Sequence, residues 1–261
     1  MAIFDWLKIP ELKNVDCTDD CVLTLLHEKI LARKPFLKKL YVDFYSELKA
    51  AIPQADERVI IELGSGGGFI KEVIKNVLTS DVLNLPNVDK VFSATDMPCE
   101  DSSVDAFCMF DVLHHISEPR RFFSEADRCL RPGGRIIMIE PANTLWARFV
   151  HKNFHHERFD PKGGWEFKKT GPLSGANGAL PWIIFVRDRL TFEREYPRLK
   201  IVRLHNHTPL RYMLSGGFTT RQLAPGFLYP AALAIEYLLS PANNWLGMFM
   251  TVILEKTGAM P

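Results

Sequence analysis

No stretch of the 261-residue chain reaches the ~20 uninterrupted apolar residues that a membrane-crossing helix requires, although 47% of its residues are hydrophobic. A disulfide framework is missing as well. The five cysteines are odd in number, and only Cys17 and Cys21 lie one helical turn apart, with no second pair or nearby histidine to complete a zinc set. Reduced thiols in a cytoplasmic protein are the expectation. There is no excess of charge of either sign: 32 Lys and Arg against 31 Asp and Glu leave +1. That balance speaks against a nucleic-acid partner, whose phosphates need clustered positive charge. A signal-peptide core is not expected either, because Asp5, Lys8, Glu11 and Lys13 interrupt the first residues. Length and apolar content together favour a single domain, 1–261, around one substantial core.

A further gap narrows the ligand. Val59-Ile60-Ile61-Glu62-Leu63-Gly64-Ser65-Gly66-Gly67-Gly68-Phe69 reads as a buried parallel strand followed by a glycine loop. The loop glycines let the backbone turn sharply and approach a ligand. Phe69, Ile70, Val73 and Ile74 resume helical spacing, which predicts a helix whose first N–H groups face that ligand. A dinucleotide fingerprint, G-x-G-x-x-G, would place its third glycine at position 69, where Phe69 stands. A β-branched side chain at Gly66 is expected to fill the volume that ligand approach requires.

The pattern Glu62-x-Gly64-x-Gly66-x-Gly68 instead resembles motif I of the class I S-adenosylmethionine-dependent methyltransferases. The likeness continues downstream. Ala94 to Asp105 looks like the family's D-A-x-x-L-P-F-x-D-x-S-F-D segment, with Ser93 and Cys99 in place of its usual Asp and Phe. Asp111-Val112-Leu113-His114-His115 matches the L-H-H form of the fourth-strand motif, as in small-molecule enzymes of methyltransferase type 11. Leu130-Arg131-Pro132-Gly133-Gly134, an apolar strand and Glu140-Pro141 complete the order. The resemblance implies a cofactor, S-adenosylmethionine, with Gly64, Ser65, Gly66 and Gly68 under its methionine part and Glu62 ordering the loop and the amino group. Asp81, about twenty residues beyond the glycines, stands where a carboxylate accepts bonds from ribose hydroxyls, or else caps the next turn. With Ser93 in place of the usual Asp, adenine contacts are expected from Ala94, Thr95 and Asp96. Asp111 completes the expected cofactor-binding set.

The implied fold is α/β, a doubly wound, seven-stranded, mostly parallel sheet of Rossmann-like methyltransferase type. N-terminal helices (1–55) precede a cofactor-binding core (56–141). A substrate-side insert follows the fifth strand, and C-terminal strands complete 142–261, the last inserted antiparallel. The periodicity predicts two helices from Val22 to Ile52 split at Pro35, an ordered arm before them, and Ser117 capping the helix after the fourth strand. Residues 155–198 show few regular patterns, but Trp165, Trp182, Ile183, Ile184 and Phe185 call for burial. Phe227 to Leu239, carrying Pro230 and Glu236, reads as a core or interfacial helix.

Methyl transfer needs alignment of the acceptor and, for a weak nucleophile, removal of a proton. His114 and His115 are candidates for that base, one of them packing or hydrogen-bonding beneath the cofactor. A second group, His151, His155, His156 and Glu157, offers metal-ligand residue types at a spacing that matches no known metal motif, so a metal is not expected. It reads as a substrate lid or as a polar helix end. His205 and His207 alternate on a strand that could face the same cleft. The expected reaction is O- or C-methylation of a small, lipid-like or amphipathic acceptor. Alternatives are a cofactor-binding regulator without transfer and a metal hydrolase centred on 151–157. A homodimer surface is an option for the apolar C-terminal region.

Overall fold

The computed structural model describes residue 9 and residues 20–154, 157–168 and 175–258. Five strands run parallel: β1 (Ile60–Leu63), β2 (Val77–Asp81), β3 (Lys90–Val91), β4 (Val104–Phe110) and β5 (Leu130–Pro141). β7 (Phe249–Lys256) runs antiparallel between β5 and β6 (Leu199–His207), giving the order β3-β2-β1-β4-β5-β7-β6. All four residues of β1 are buried, Glu62 along with its apolar neighbours, as befits a central parallel strand. Alternation assigns each side chain to a face. On β4, Ala106 and Cys108 join the core beneath the N-terminal helices, while Phe107 and Met109 join the opposite core.

The N-terminal helices are α1 (Asp20–Arg33) and α2 (Pro35–Ala50), split at Pro35 as the periodicity predicts. Phe36, Leu37, Leu40, Phe44 and Leu48 of α2 are fully buried against the sheet. Lys34, at the joint, is buried too. Its Nζ donates to the carbonyls of Gly217 (2.6 Å) and Thr220 and ties these helices to a C-terminal loop. On the far face, α3 (Pro119–Cys129) packs Phe122 and Phe123 against the turn at Ile183–Arg187 and α5 (Arg189–Glu195); α4 (Leu145–Phe154) lies between β5 and the insert.

Several local expectations change. The helix predicted after the glycine loop is a single 3-10 turn, Ile70–Glu72. Only thirteen residues separate β1 from β2, close to the minimum of about a dozen for a parallel crossover, and the glycine loop consumes five of them. Asn76 then donates to the carbonyls of Ala55 and Arg58, drawing the chain back to the start of the sheet. Tyr45 and the rest of α2 cover the face that the missing helix would have covered. Ser117 is not the cap of α3; Glu118 holds the N-cap position without a side-chain bond, and Pro119 opens the helix. The end of the insert is helical rather than irregular, and Trp165, Ile183, Ile184 and Phe185 are buried as expected. Of the arm before residue 20, only Ile9 is described; it is buried and donates its N–H to Thr219 O (3.2 Å). No helix among the described residues is long and apolar enough to cross a membrane.

Candidate active site

The carboxyl ends of β1, β2 and β4 open into a cavity of about 1480 Å³. Its floor is the glycine loop. Gly64 (φ +68°) and Gly66 (φ +51°) adopt left-handed backbone that strongly favours glycine. A Cβ on Gly67 would approach the Thr24 carbonyl oxygen and the Glu28 nitrogen to 2.8 Å, so the loop lies directly against the α1 backbone. Gly66 N–H donates to Asp81 Oδ2 (2.9 Å), and Leu83 N–H donates to Asp81 Oδ1 (2.9 Å). Asp81 therefore lines the cavity at the end of β2, fixes the glycine loop and caps the turn that follows it.

Glu62 is buried beside the loop, with its Oε2 unpartnered among the described residues. Burial, reinforced by Asp81, pushes its carboxyl up to about 7 against the pull of the Ser65 hydroxyl and Lys71. An unsatisfied buried carboxylate is costly, so the arrangement suits an arriving cationic or hydrogen-bond-donating group. Ser65, Ala94 and Thr95 line the same cavity. Asp96 is exposed and bridges back to Ser93, so it does not join them. The Ser93 and Thr95 hydroxyls bond each other (2.8 Å) where the family's Asp would stand.

The opposite wall is built after β4. Asp111 takes a left-handed backbone (φ +62°), uncommon for a non-glycine residue and a mark of functional sites. Glu140, completely buried on β5, holds the turn: its Oε1 accepts from Val112 N–H (2.9 Å) and Leu113 N–H (2.7 Å), and its Oε2 pairs with His114 Nδ1 (2.8 Å). The other ring nitrogen of His114 faces Glu157 Oε2 at 3.4 Å. Burial opposes charge on His114, but Asp111, Glu140 and Glu157 outweigh it and hold the ring well above the usual imidazole range. These three carboxylates favour the charged form of the buried His114 ring. Desolvation pushes Asp111 up to about 7; His114 opposes that rise, and Glu157 and Glu140 add to it. His115 is the residue open to the cavity, with Nε2 3.8 Å from Glu157 Oε1.

Removing one partner of a buried ion pair leaves an uncompensated charge, at a cost of about 3–5 kcal/mol. Glu140→Ala is expected to destabilise the protein by that amount in urea unfolding. A loss under 1 kcal/mol would show that His114 discharges instead.

The histidine-rich segment divides. His155 and His156 lie outside the described residues. His151 stacks on Phe159 (centroids 4.5 Å apart) and does not line the cavity. Glu157, placed by sequence only within that group, is the described member that meets His114 and His115. His205 and His207 do not reach the cleft. They face Glu47 of α2, where His205 Nε2 lies 3.3 Å from Glu47 Oε1, and His207 bonds the hydroxyls of Thr208 and Thr251 (both 2.8 Å). Burial lowers His207 to about 4, so it packs there uncharged. The cavity residues of α1, Leu23, Thr24, His27 and Leu31, carry no motif.

Residues 61–138 match the methyltransferase domain family. The chain carries a class I S-adenosylmethionine-dependent methyltransferase domain. S-adenosylmethionine is the cofactor of such domains, and the unpartnered Oε2 of Glu62 and the glycine cradle fit it. The demethylmenaquinone methyltransferase of Clavibacter sepedonicus is 45% identical over 109 residues, 35% of this chain and 44% of that one. A probable S-adenosylmethionine-dependent methyltransferase of Mycolicibacterium smegmatis is 31% identical over 98 residues, 32% of this chain and 38% of that protein. These alignments span less than half the length of the curated relatives. Among solved structures, a putative methyltransferase of Haloferax volcanii, in complex with the Trm112 activator, superposes with TM-score 0.51 at 14% identity, covering 91% of this chain and 96% of that one. The [4+2]-cyclase SpnF superposes with TM-score 0.50 at 14% identity, covering 84% and 81%. Both establish the fold alone.

Proposed function

We propose that this protein transfers the methyl group of S-adenosylmethionine to a carbon or oxygen of a small, amphipathic acceptor. The observation that carries this reading is one cavity lined both by the glycine loop and Glu62 and by His115 and Glu157. The cofactor supplies a methyl group activated by its sulfonium. Glu62 would hold the amino group, Asp81 the ribose hydroxyls, and Ala94 and Thr95 the adenine side. Glu140 and His114 set the wall after β4, so that His115 stands against the acceptor and takes its proton, with the Glu157 carboxylate beside the resulting imidazolium. Phe154, Phe167 and Phe218 on the same cavity supply apolar surface for the acceptor body. Residues 1–55, 56–141 and 142–261 accordingly act as cap, cofactor core and acceptor side of one domain. A cofactor-binding protein without transfer remains the contrasting reading, because this fold also carries a cyclase.

Binding is tested by calorimetry with S-adenosylmethionine and S-adenosylhomocysteine, and turnover by release of S-adenosylhomocysteine on adding amphipathic phenols or quinols. NADH is expected not to bind. Because Glu62 keeps its proton up to about 7, pairing it with a cation must expel that proton. Affinity is expected to rise between pH 6 and pH 8, with proton release at pH 6 that fades by pH 8. Glu62→Gln should remove this dependence while leaving Asp111 unchanged. Binding that is flat with pH in the wild type would take the cofactor's amino group away from Glu62.

A further inference from the structure

Helix α7 (Tyr229–Leu239) turns its apolar side chains outward. Tyr229, Ala232 and Glu236, spaced three and four apart, form its buried stripe. The rest of the helix is uncharged and, apart from half-buried Leu239, exposed. Phe227 (76%), Tyr237 (79%) and Leu238 (77%) protrude furthest, with Leu233, Ile235 and Trp245 beside them. From Gln222 to Leu246 the sequence carries one charge, Glu236, and that carboxylate faces inward to Arg211. A soluble helix normally shows solvent its polar face, so an exposed apolar crown of this extent marks an interaction surface.

We infer that this crown lies in the surface of an anionic lipid bilayer. The charges around it favour that occupant. Exposed Lys39 donates to Gly226 O (3.0 Å) at the start of the crown, and exposed Arg221 stands two residues before Leu223. Asp43 of α2 and Glu236 of α7 are both engaged by Arg211. A cationic rim around an uncharged crown complements anionic headgroups above acyl chains. Tyr237 and Trp245 suit the boundary between them, since each joins an apolar ring to a polar group that interfacial water can satisfy. At 1.5 Å per residue, eleven residues span about 16 Å, so the helix lies along a bilayer of about 30 Å rather than across it. The crown is also one element from the cavity. α7 packs on α6 (Arg211–Ser215), whose Tyr212 lines the cavity with Phe218 from the loop that follows. A lipid-like acceptor would reach the cavity without crossing water.

The full-length protein would be sedimented with vesicles of 3:1 phosphatidylcholine and phosphatidylglycerol, and with phosphatidylcholine alone. Binding to the mixed vesicles is expected, at least tenfold stronger than to the neutral ones and weakened by salt. Tyr237→Ser with Leu238→Ser should weaken it at least tenfold, and Phe227→Ser alone several-fold. Affinity for S-adenosylhomocysteine should stay unchanged in all of them, which separates this inference from the methyltransferase reading. Wild-type protein that stays in the supernatant with both vesicles, or variants that bind as the wild type does, would overturn it. A wild-type dimer that the double variant splits, without vesicle binding, would make the crown a contact between two copies and equally overturn it.

Discussion

Valine at Gly64 is expected to abolish cofactor binding. The Gly64 backbone sits at φ +68°, and its added Cβ would lie 2.6 Å from Val112 Cγ2, well inside contact distance. Val112 cannot yield easily, because its N–H is bonded to the buried Glu140. The substitution would therefore force apart the loops after β1 and β4, the two sides of the floor on which the cofactor must lie. Affinity for S-adenosylhomocysteine should fall more than 100-fold by calorimetry. Gly133→Ala is the control: it shares a positive φ (+80°) but meets nothing within 4 Å, so it should carry only a backbone strain of about 1–2 kcal/mol and bind normally. Wild-type affinity in Gly64→Val would remove the glycine loop from the cofactor site. The sequence points to Gly66 for this test, yet an added Cβ there meets only Thr24 Cγ2, at 3.6 Å. The close packing belongs to Gly64, Gly67 and Gly68.

Loss of His115 should be the largest purely chemical effect. General-base removal is commonly worth about 100-fold or more. His115→Ala is expected to lower turnover by that factor, with S-adenosylhomocysteine affinity unchanged, and the deficit should shrink as pH rises and solvent base takes over. Glu157→Gln should lower turnover less, since it removes the partner of the imidazolium and leaves the ring. His114→Ala should behave differently, losing stability first, because it strips Glu140 and Glu157 of their shared cation. Full turnover in His115→Ala would mean that the acceptor is methylated through alignment alone, leaving the His115 wall a positioning surface.

Much of the scaffold was legible because burial writes itself into sequence. Strands covered on both faces are mostly apolar, so β1, β4 from Ala106 onward and the apolar part of β5 stand out as runs that end where the ligand side begins. Pro35 divides α1 from α2 because proline removes a backbone donor and clashes with the preceding turn. The glycine loop and Asp81 were legible for a similar local reason: left-handed turns favour glycine, and fifteen residues separate Gly66 from the carboxylate that receives its N–H.

Tertiary structure alone decided the rest, and in each case the determining contact is distant in the chain. The crossover after β1 lost its helix because α2, from before the sheet, already covers that face. His114 and His115 are adjacent and equivalent in sequence, yet Glu140, twenty-six residues on, pairs with one of them in the buried wall. Glu157, brought in by the insert, stands beside the other, which opens to the cavity. His205 and His207 share an alternation that suits the cleft, and the antiparallel insertion of β7 sets them against Glu47 instead. An ionisable side chain takes its charge and its role from the groups within a few ångströms of it. Sequence specifies which groups exist; only the folded chain brings them within that range.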